Sequence, residues 1–68
     1  MDLLANLRAF SSATEHGSLS RSAAALGVAT SVLSRQITAL ETESHARLFY
    51  RTGRGLRLTE FGARLLPR

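Results

Sequence analysis

Arginine supplies every basic side chain of this 68-residue chain, in which nine arginines stand against five acidic residues for a formal net charge of +4. The guanidinium group is a planar fork that matches a phosphate or a guanine edge bidentately, whereas a lysine ammonium acts as a point charge. This balance favours an anionic partner. Codon usage in a GC-rich genome would produce the same excess of arginine, so charge alone does not decide the partner.

Eight side chains are placed where they would converge on such a partner. Four short hydroxyls and one arginine share the polar face of a predicted third helix, and three arginines surround a glycine-rich turn. They are Thr30, Ser31, Ser34, Arg35 and Thr38 on the helix, and Arg51, Arg54 and Arg57 at the turn. A helix of this width fits the major groove of double-stranded DNA, where Arg35 is able to bond guanine bidentately. Its alternative role is a solvated charge, or an ion pair with Glu41 or Glu43.

Catalysis and metal binding have little support in the sequence. There is no cysteine, the histidines His16 and His45 lie near predicted helix ends, and the carboxylates are scattered. Because an enzyme needs convergent ionisable groups, we expect no catalytic residue, no metal site and no cofactor. The absence of cysteine favours a reducing compartment, the cytoplasm. An acid at position 2 and a short apolar run predict neither a signal peptide nor a membrane span.

Apolar periodicity predicts two helices in the first 27 residues. Asp2 can cap the first helix, which Gly17 ends. Its core stripe consists of Leu3, Leu7, Phe10 and Thr14, widened by Leu4 and Ala13. Ser18 then opens a short helix over residues 19–26, and Gly27 ends that helix because it can adopt the left-handed conformation.

A third helix is predicted from Thr30 to Glu43, with one buried face formed by Leu33, Ile37 and Leu40. Ala23 is small where the second helix would approach the third, Gly27 lies at the turn, and Val28 is expected to fill the corner. These spacings are typical of a helix-turn-helix, in which two helices cross closely at a steep angle. A plain three-helix bundle without a ligand would show the same pattern.

After the third helix, two short alternating runs around a glycine-rich turn predict a β-hairpin. Gly53 and Gly55 leave Arg54 at the tip, which suits a minor groove or a phosphate, with Arg51 and Arg57 flanking it. A solvated turn whose arginine aids solubility is the alternative. Beyond the hairpin, Thr59 is expected to cap a fourth helix, which carries Phe61, Leu65 and Leu66.

Three stretches together resemble the amino-terminal domain of LysR-type transcriptional regulators: FSSATEHGSLSRSAAALGV, SRQITALE and LFYRTGRGLRLTEFGARLL. The resemblance covers essentially the whole chain. It implies a bacterial regulator in which Ser34 and Arg35 face the groove of a pseudo-palindromic operator, Arg51 contacts phosphate and Arg54 forms the wing tip. It also implies a homodimer formed through a long linker helix, and a missing domain that binds a small-molecule effector.

The chain departs from that family at both ends of the third helix. Before the helix the family usually has Ser-Gln-Pro, whereas this chain has Ala29-Thr30-Ser31, so Thr30 or Ser31 is expected to provide the cap. After the helix the family has Leu-Gly, whereas this chain has Ser44-His45, and histidine is unfavourable in the left-handed turn that glycine would take. We therefore expect a frayed or reshaped helix end.

The combined prediction is a mainly α, winged helix-turn-helix fold, with a three-helix core, a two-stranded β-hairpin wing and the start of a fourth, linker helix. We place the DNA-binding domain at residues 1–58 and the start of the linker or dimerisation helix at 59–68. The predicted function is sequence-specific binding of double-stranded DNA. The rival prediction is a winged helix used for protein interaction, for which Leu65 and Leu66 offer apolar surface.

Overall fold

A computed structural model of the chain describes residues 3–53 and 55–65. Four helices and one antiparallel hairpin follow one another along the chain as α1 (Leu3–His16), α2 (Leu19–Leu26), α3 (Thr30–Ser44), β1 (Phe49–Thr52), β2 (Gly55–Leu58) and α4 (Glu60–Leu65). This architecture is the predicted one. The expectations for Asp2, Arg54 and Leu66 fall outside the described residues.

The first helix buries Asn6, Ala9, Phe10 and Ala13 and ends where the Gly17 amide donates to the Ala13 carbonyl at 2.9 Å. The prediction that Leu3 and Leu4 belong to the buried stripe is wrong, because they are 56% and 63% exposed. The buried face recurs at helical spacing from Asn6 onward, so the first turn of the helix projects past the core.

The second and third helices meet at a bend of 107°, which lies within the range of a helix-turn-helix. Ser18 caps α2 by accepting from the Arg21 amide at 3.4 Å, and Gly27 ends it at a φ of 71°. Ala23 is buried at the crossing as predicted, but Val28 does not fill the corner: it is 38% exposed, and its amide donates to the Ala23 carbonyl. Among the described residues no single helix is long and apolar enough to span a membrane, although the bent pair α2 and α3 passes that test by length and composition.

The third helix buries Leu33, Ile37 and Leu40 as predicted. Its N-cap is Ala29, which makes no side-chain hydrogen bond, so the prediction that Thr30 or Ser31 caps the helix is wrong. Those two residues already lie inside its first turn. The Ala29 carbonyl begins the helical ladder by accepting from the Val32 and Leu33 amides at 3.0 and 3.2 Å.

The C-terminal end of α3 is regular, so the prediction of a frayed or reshaped end at Ser44-His45 is wrong. His45 adopts the left-handed conformation at a φ of 55°, its amide donates to the Thr42 carbonyl, and the Ala46 amide donates to the Glu41 carbonyl. This is the bonding pattern that glycine usually completes. A side chain in that conformation carries a steric cost, which the closing hydrogen bonds offset.

The hairpin pairs Phe49 with Leu58 and Thr52 with Gly55. Leu48 and Phe49 are buried at its base, where the Phe49 ring lies 5.3 Å from the Phe10 ring, centroid to centroid, in a tilted arrangement. The core therefore joins the wing to the helices. It comprises Ala9, Phe10, Ala13, Ala23, Leu33, Ile37, Leu40, Leu48 and Phe49.

The second strand of the wing docks on the turn between α1 and α2. The Leu56 amide donates to the Gly17 carbonyl at 3.1 Å. Gly55 adopts a φ of 121°, and a Cβ atom placed there would lie 2.5 Å from the same carbonyl oxygen. Glycine at position 55 is therefore needed for the close backbone approach that holds the wing against the helices.

Replacing His45 by glycine should stabilise the fold by about 1 kcal/mol, because glycine adopts the left-handed conformation without steric cost. Thermal unfolding should show a Tm increase of about 4–8 °C for a domain of this size. His45→Ala is the control, since alanine keeps the Cβ atom and should change the stability by less than about 0.5 kcal/mol. Equal stabilisation by alanine would refute the backbone explanation.

Gly55→Ala should destabilise the fold by about 1–3 kcal/mol, because its new methyl group collides with the Gly17 carbonyl in a backbone conformation that alanine disfavours. Urea unfolding measures the loss. Gly53 is the matched control, since a Cβ atom there meets nothing within 4 Å. A Gly53→Ala loss as large as the Gly55→Ala loss would mean that turn flexibility, not docking on Gly17, sets the effect.

Candidate nucleic-acid interface

The outward face of α3 presents the polar side chains that the sequence singled out. Thr30, Ser31, Arg35 and Thr38 are exposed, and Ser34 is half-buried toward the wing. In the part of the chain that the structure describes, ion pairs join Arg47 to Glu41 and Arg64 to Glu60, so Arg35 is not held by either glutamate that was considered as its partner. Its guanidinium group remains available on the helix surface.

The wing reaches this face through Arg51. Its Nη2 atom donates to the Ser34 hydroxyl at 3.2 Å, across 17 residues of sequence. The structure therefore brings together one predicted residue of the helix and one of the wing. Since the guanidinium group has five N–H donors, Arg51 keeps most of its donors for a further acceptor.

The strand register separates Arg57 from Arg51. Arg51 pairs with Leu56 on the wing face that packs toward the helices, whereas Arg57 pairs with Tyr50 on the opposite face. Tyr50 and Arg57 are both exposed. The two arginines expected to flank the wing tip thus lie on different faces of the hairpin, and Arg54 itself lies outside the described residues.

A groove of about 360 Å³ runs between α3 and the wing. Polar groups at its edge include Thr38, Arg47 and Arg51, and the half-buried Glu41 lies among them. Sequence reasoning missed Arg47, and it considered Glu41 as a partner for Arg35 alone. The excess of arginine over acid between residues 47 and 57 was the available signal for Arg47. Helical periodicity gave no signal for the contacts of Glu41, because its partners Arg47 and Leu48 lie after the end of α3.

Exposed guanidinium groups predominate among the charged side chains of this surface. Within residues 3–53 and 55–65, no three His, Cys, Asp or Glu side chains come together in a way that would hold a metal ion. The exposed guanidinium groups and hydroxyls are hydrogen-bond donors of the kind that bind phosphate oxygens and base edges.

Sequence comparison places these residues among bacterial regulators. The family model described as "Bacterial regulatory helix-turn-helix protein, lysR family" matches residues 4–63. An uncharacterized HTH-type transcriptional regulator of Azotobacter vinelandii is 46% identical over 65 residues, which cover 96% of this chain and 45% of that protein. The transcriptional activator AmpR of Citrobacter freundii is 44% identical over 64 residues, which cover 94% and 22%. The chain thus spans less than half the length of these relatives.

Solved structures share the architecture. The DNA-binding domain of CbnR in complex with DNA matches with a TM-score of 0.87 and 31% identity, covering 94% of this chain and 72% of that one. The DNA-binding domain of BenM in complex with catB site 1 DNA matches with a TM-score of 0.85 and 36% identity, covering 93% and 70%. These likenesses confirm the winged helix-turn-helix prediction.

Proposed function

Because the chain belongs to the LysR family of bacterial regulatory helix-turn-helix proteins, we propose that it is the sequence-specific, double-stranded-DNA-binding module of a transcriptional regulator. The observation that carries the proposal is the hydrogen bond from Arg51 to Ser34, which joins the polar face of α3 to a cation of the wing. A single surface then offers base-reading and phosphate-binding groups together.

In this function α3 lies in the major groove and reads base edges. Arg35 makes a bidentate contact to guanine, supported by its exposure and by the absence of a described carboxylate partner. The hydroxyls add hydrogen bonds to bases or to nearby phosphates, which applies to Thr30, Ser31, Ser34 and Thr38. Thr30 and Ser31 begin the helix, the part of a recognition helix that points at the bases.

The wing binds the DNA backbone on either side of its tip. Arg51, on the inner face, contacts a phosphate beside the major groove. Arg57, on the outer face, contacts a phosphate farther from α3. Arg54, which lies between Gly53 and Gly55 in the sequence, contacts a minor groove or a phosphate. Affinity then comes largely from the wing, and base preference comes largely from α3.

The chain matches 45% of one relative and 22% of another, so the dimer and the effector of a whole regulator are part of this proposal. We propose residues 1–58 as the DNA-binding domain and 59–68 as the start of a linker helix, through which two copies form a homodimer on a pseudo-palindromic operator. A small-molecule effector would bind the remaining domain. The protein acts in the cytoplasm and has no catalytic role in this proposal.

Arg35→Ala and Arg51→Ala should weaken binding in different ways. Loss of Arg35 should cost about 1–3 kcal/mol on the preferred duplex and relax the preference at one base pair, because a bidentate base contact disappears. Loss of Arg51 should weaken all duplexes alike. The measurement is selection from random duplexes at moderate salt, followed by titration of the selected and scrambled sequences.

Arg8→Ala is the matched control for those two variants, because Arg8 is exposed on α1 and borders a groove facing α2, and its loss changes the net charge equally. It should leave the base preference unchanged. An Arg35→Ala variant that keeps the full preference would contradict base reading by that residue. A loss of affinity in Arg8→Ala equal to that in Arg51→Ala would contradict a wing-specific phosphate contact.

Salt dependence separates DNA binding from the rival role in protein interaction, which the exposed Leu3, Leu4 and Phe61 favour. Affinity for duplex DNA should fall with a logarithmic slope of about −0.9 for each phosphate contacted, and Arg51→Ala should reduce that slope by about 1. The assay is a titration between about 50 and 200 mM salt, because the slope is read from the linear fall of log affinity with log salt concentration. A salt-independent complex with another protein, without duplex binding, would favour the rival.

A further inference from the structure

We propose that Glu41 is a positioning residue for DNA recognition: its carboxylate fixes the base of the wing and thereby places Arg51 beside α3. The proposal rests on the proposed function and deepens it, because it names the group that sets the geometry between the two reading elements. It is drawn from two contacts of the Glu41 carboxylate and one of its backbone carbonyl.

The position of Glu41 is unfavourable for a carboxylate unless something holds it there. It lies in the last turn of α3, where the helix dipole disfavours a negative charge. Its side chain is 20% exposed, so it has lost much of its hydration. A negative charge beside the proposed phosphate-binding arginines also weakens the attraction for DNA. These costs point to a structural contact of the carboxylate that offsets them.

That role is visible in the hydrogen bond from the Leu48 amide to Oε2 of Glu41, at 2.8 Å. Leu48 is fully buried, so its amide has no access to water and needs an acceptor from the protein. Two residues of the intervening segment also contact Glu41. The Ala46 amide donates to the Glu41 carbonyl, and the Arg47 Nε atom lies 3.8 Å from Oε2.

Leu48 in turn connects α3 to the rest of the wing base. Its carbonyl accepts from the Thr59 amide at 3.0 Å, and the Thr59 hydroxyl donates to the Arg47 carbonyl at 2.6 Å. The next residue, Phe49, is the first of β1. Arg51 therefore follows the anchored Leu48 by three residues, and a shift of Leu48 would carry Arg51 away from the Ser34 hydroxyl.

The test compares Glu41→Ala with Glu41→Gln in the 68-residue chain. Both variants remove the same charge, so they have the same effect on long-range attraction to DNA. The glutamine amide oxygen still accepts from the Leu48 amide, whereas alanine offers no acceptor. Glu43→Ala and Glu43→Gln are matched controls, since Glu43 is an exposed glutamate two residues farther along the same helix.

Two readouts are needed. Amide hydrogen exchange followed by NMR should show the Leu48 amide exchanging about tenfold or more faster in Glu41→Ala, relative to neighbouring core amides, and near the wild-type rate in Glu41→Gln. The slope of log affinity for duplex DNA against log salt concentration should become about 1 shallower in Glu41→Ala, as in Arg51→Ala, because a displaced Arg51 no longer neutralises its phosphate. The base preference read by α3 should persist in both variants, and Glu41→Gln should keep the wild-type slope.

A residue that merely stabilises the fold would lower affinity in proportion to the folded fraction at every salt concentration, with the slope unchanged. That result for Glu41→Ala overturns the proposal, as does wild-type protection of its Leu48 amide. A salt slope reduced as much in Glu43→Ala as in Glu41→Ala would also overturn it. If the wild-type chain binds no duplex, the proposed function fails and the recognition role fails with it, while the Leu48 exchange rates still report whether Glu41 anchors the wing.

Discussion

A hairpin of two strands is marginally stable in water by itself, so the wing of this protein depends on the helical body that holds it. Two backbone amides at the wing donate hydrogen bonds to that body. Leu56, on the second strand, donates its amide to the Gly17 carbonyl. Leu48, just before the first strand, donates its amide to the Glu41 carboxylate. Because one anchor lies on the turn after α1 and the other on α3, the hairpin is fixed from two sides.

This anchoring explains why the core is shaped as it is. The Phe49 ring packs against the Phe10 ring, so the wing contributes to the same interior that the three helices share. In a chain of 68 residues there is little apolar area to spare, and a wing that buries its first strand residue adds to that interior. The same packing directs Arg51 toward α3, since Arg51 and Phe49 lie on one face of the strand.

The sequence was sufficient for the helices and the hairpin, because periodicity, caps and turn glycines are local signals. The limits of α2 and the start of α3 follow from Ser18, Gly27 and the stripe of Leu33 and Ile37. The wrong predictions concern which apolar residues at the ends of helices are buried against a neighbouring element. Leu3 and Val28 fit the apolar pattern but lie beyond the packed surfaces, and no local signal shows how far a neighbouring helix extends.

The ends of α3 were misjudged for a different reason. A side-chain cap and a frayed terminus were expected from the residues at each end alone, without the contacts of the neighbouring chain. In the structure, the exposed start at Ala29 goes without a side-chain cap, and the strained His45 is tolerated because the Ala46 amide and the buried Leu48 fix the chain on its far side. No sequence periodicity predicts the hydrogen bond between Glu41 and Leu48, because it joins a helix residue to a residue seven positions later, beyond a turn.

Under the proposed function, the two central arginines differ in how much freedom they lose on binding. Arg51 is already held by the Ser34 hydroxyl, so less conformational entropy remains to be lost when it meets a phosphate, a group that every duplex presents. Arg35 is exposed and has no described ion-pair partner, so ordering it costs about 0.5–1.5 kcal/mol. Only a base that accepts both of its hydrogen bonds offsets that cost in full. Arg51, held by Ser34, therefore favours affinity, and Arg35, which has no described ion-pair partner, favours discrimination between sequences.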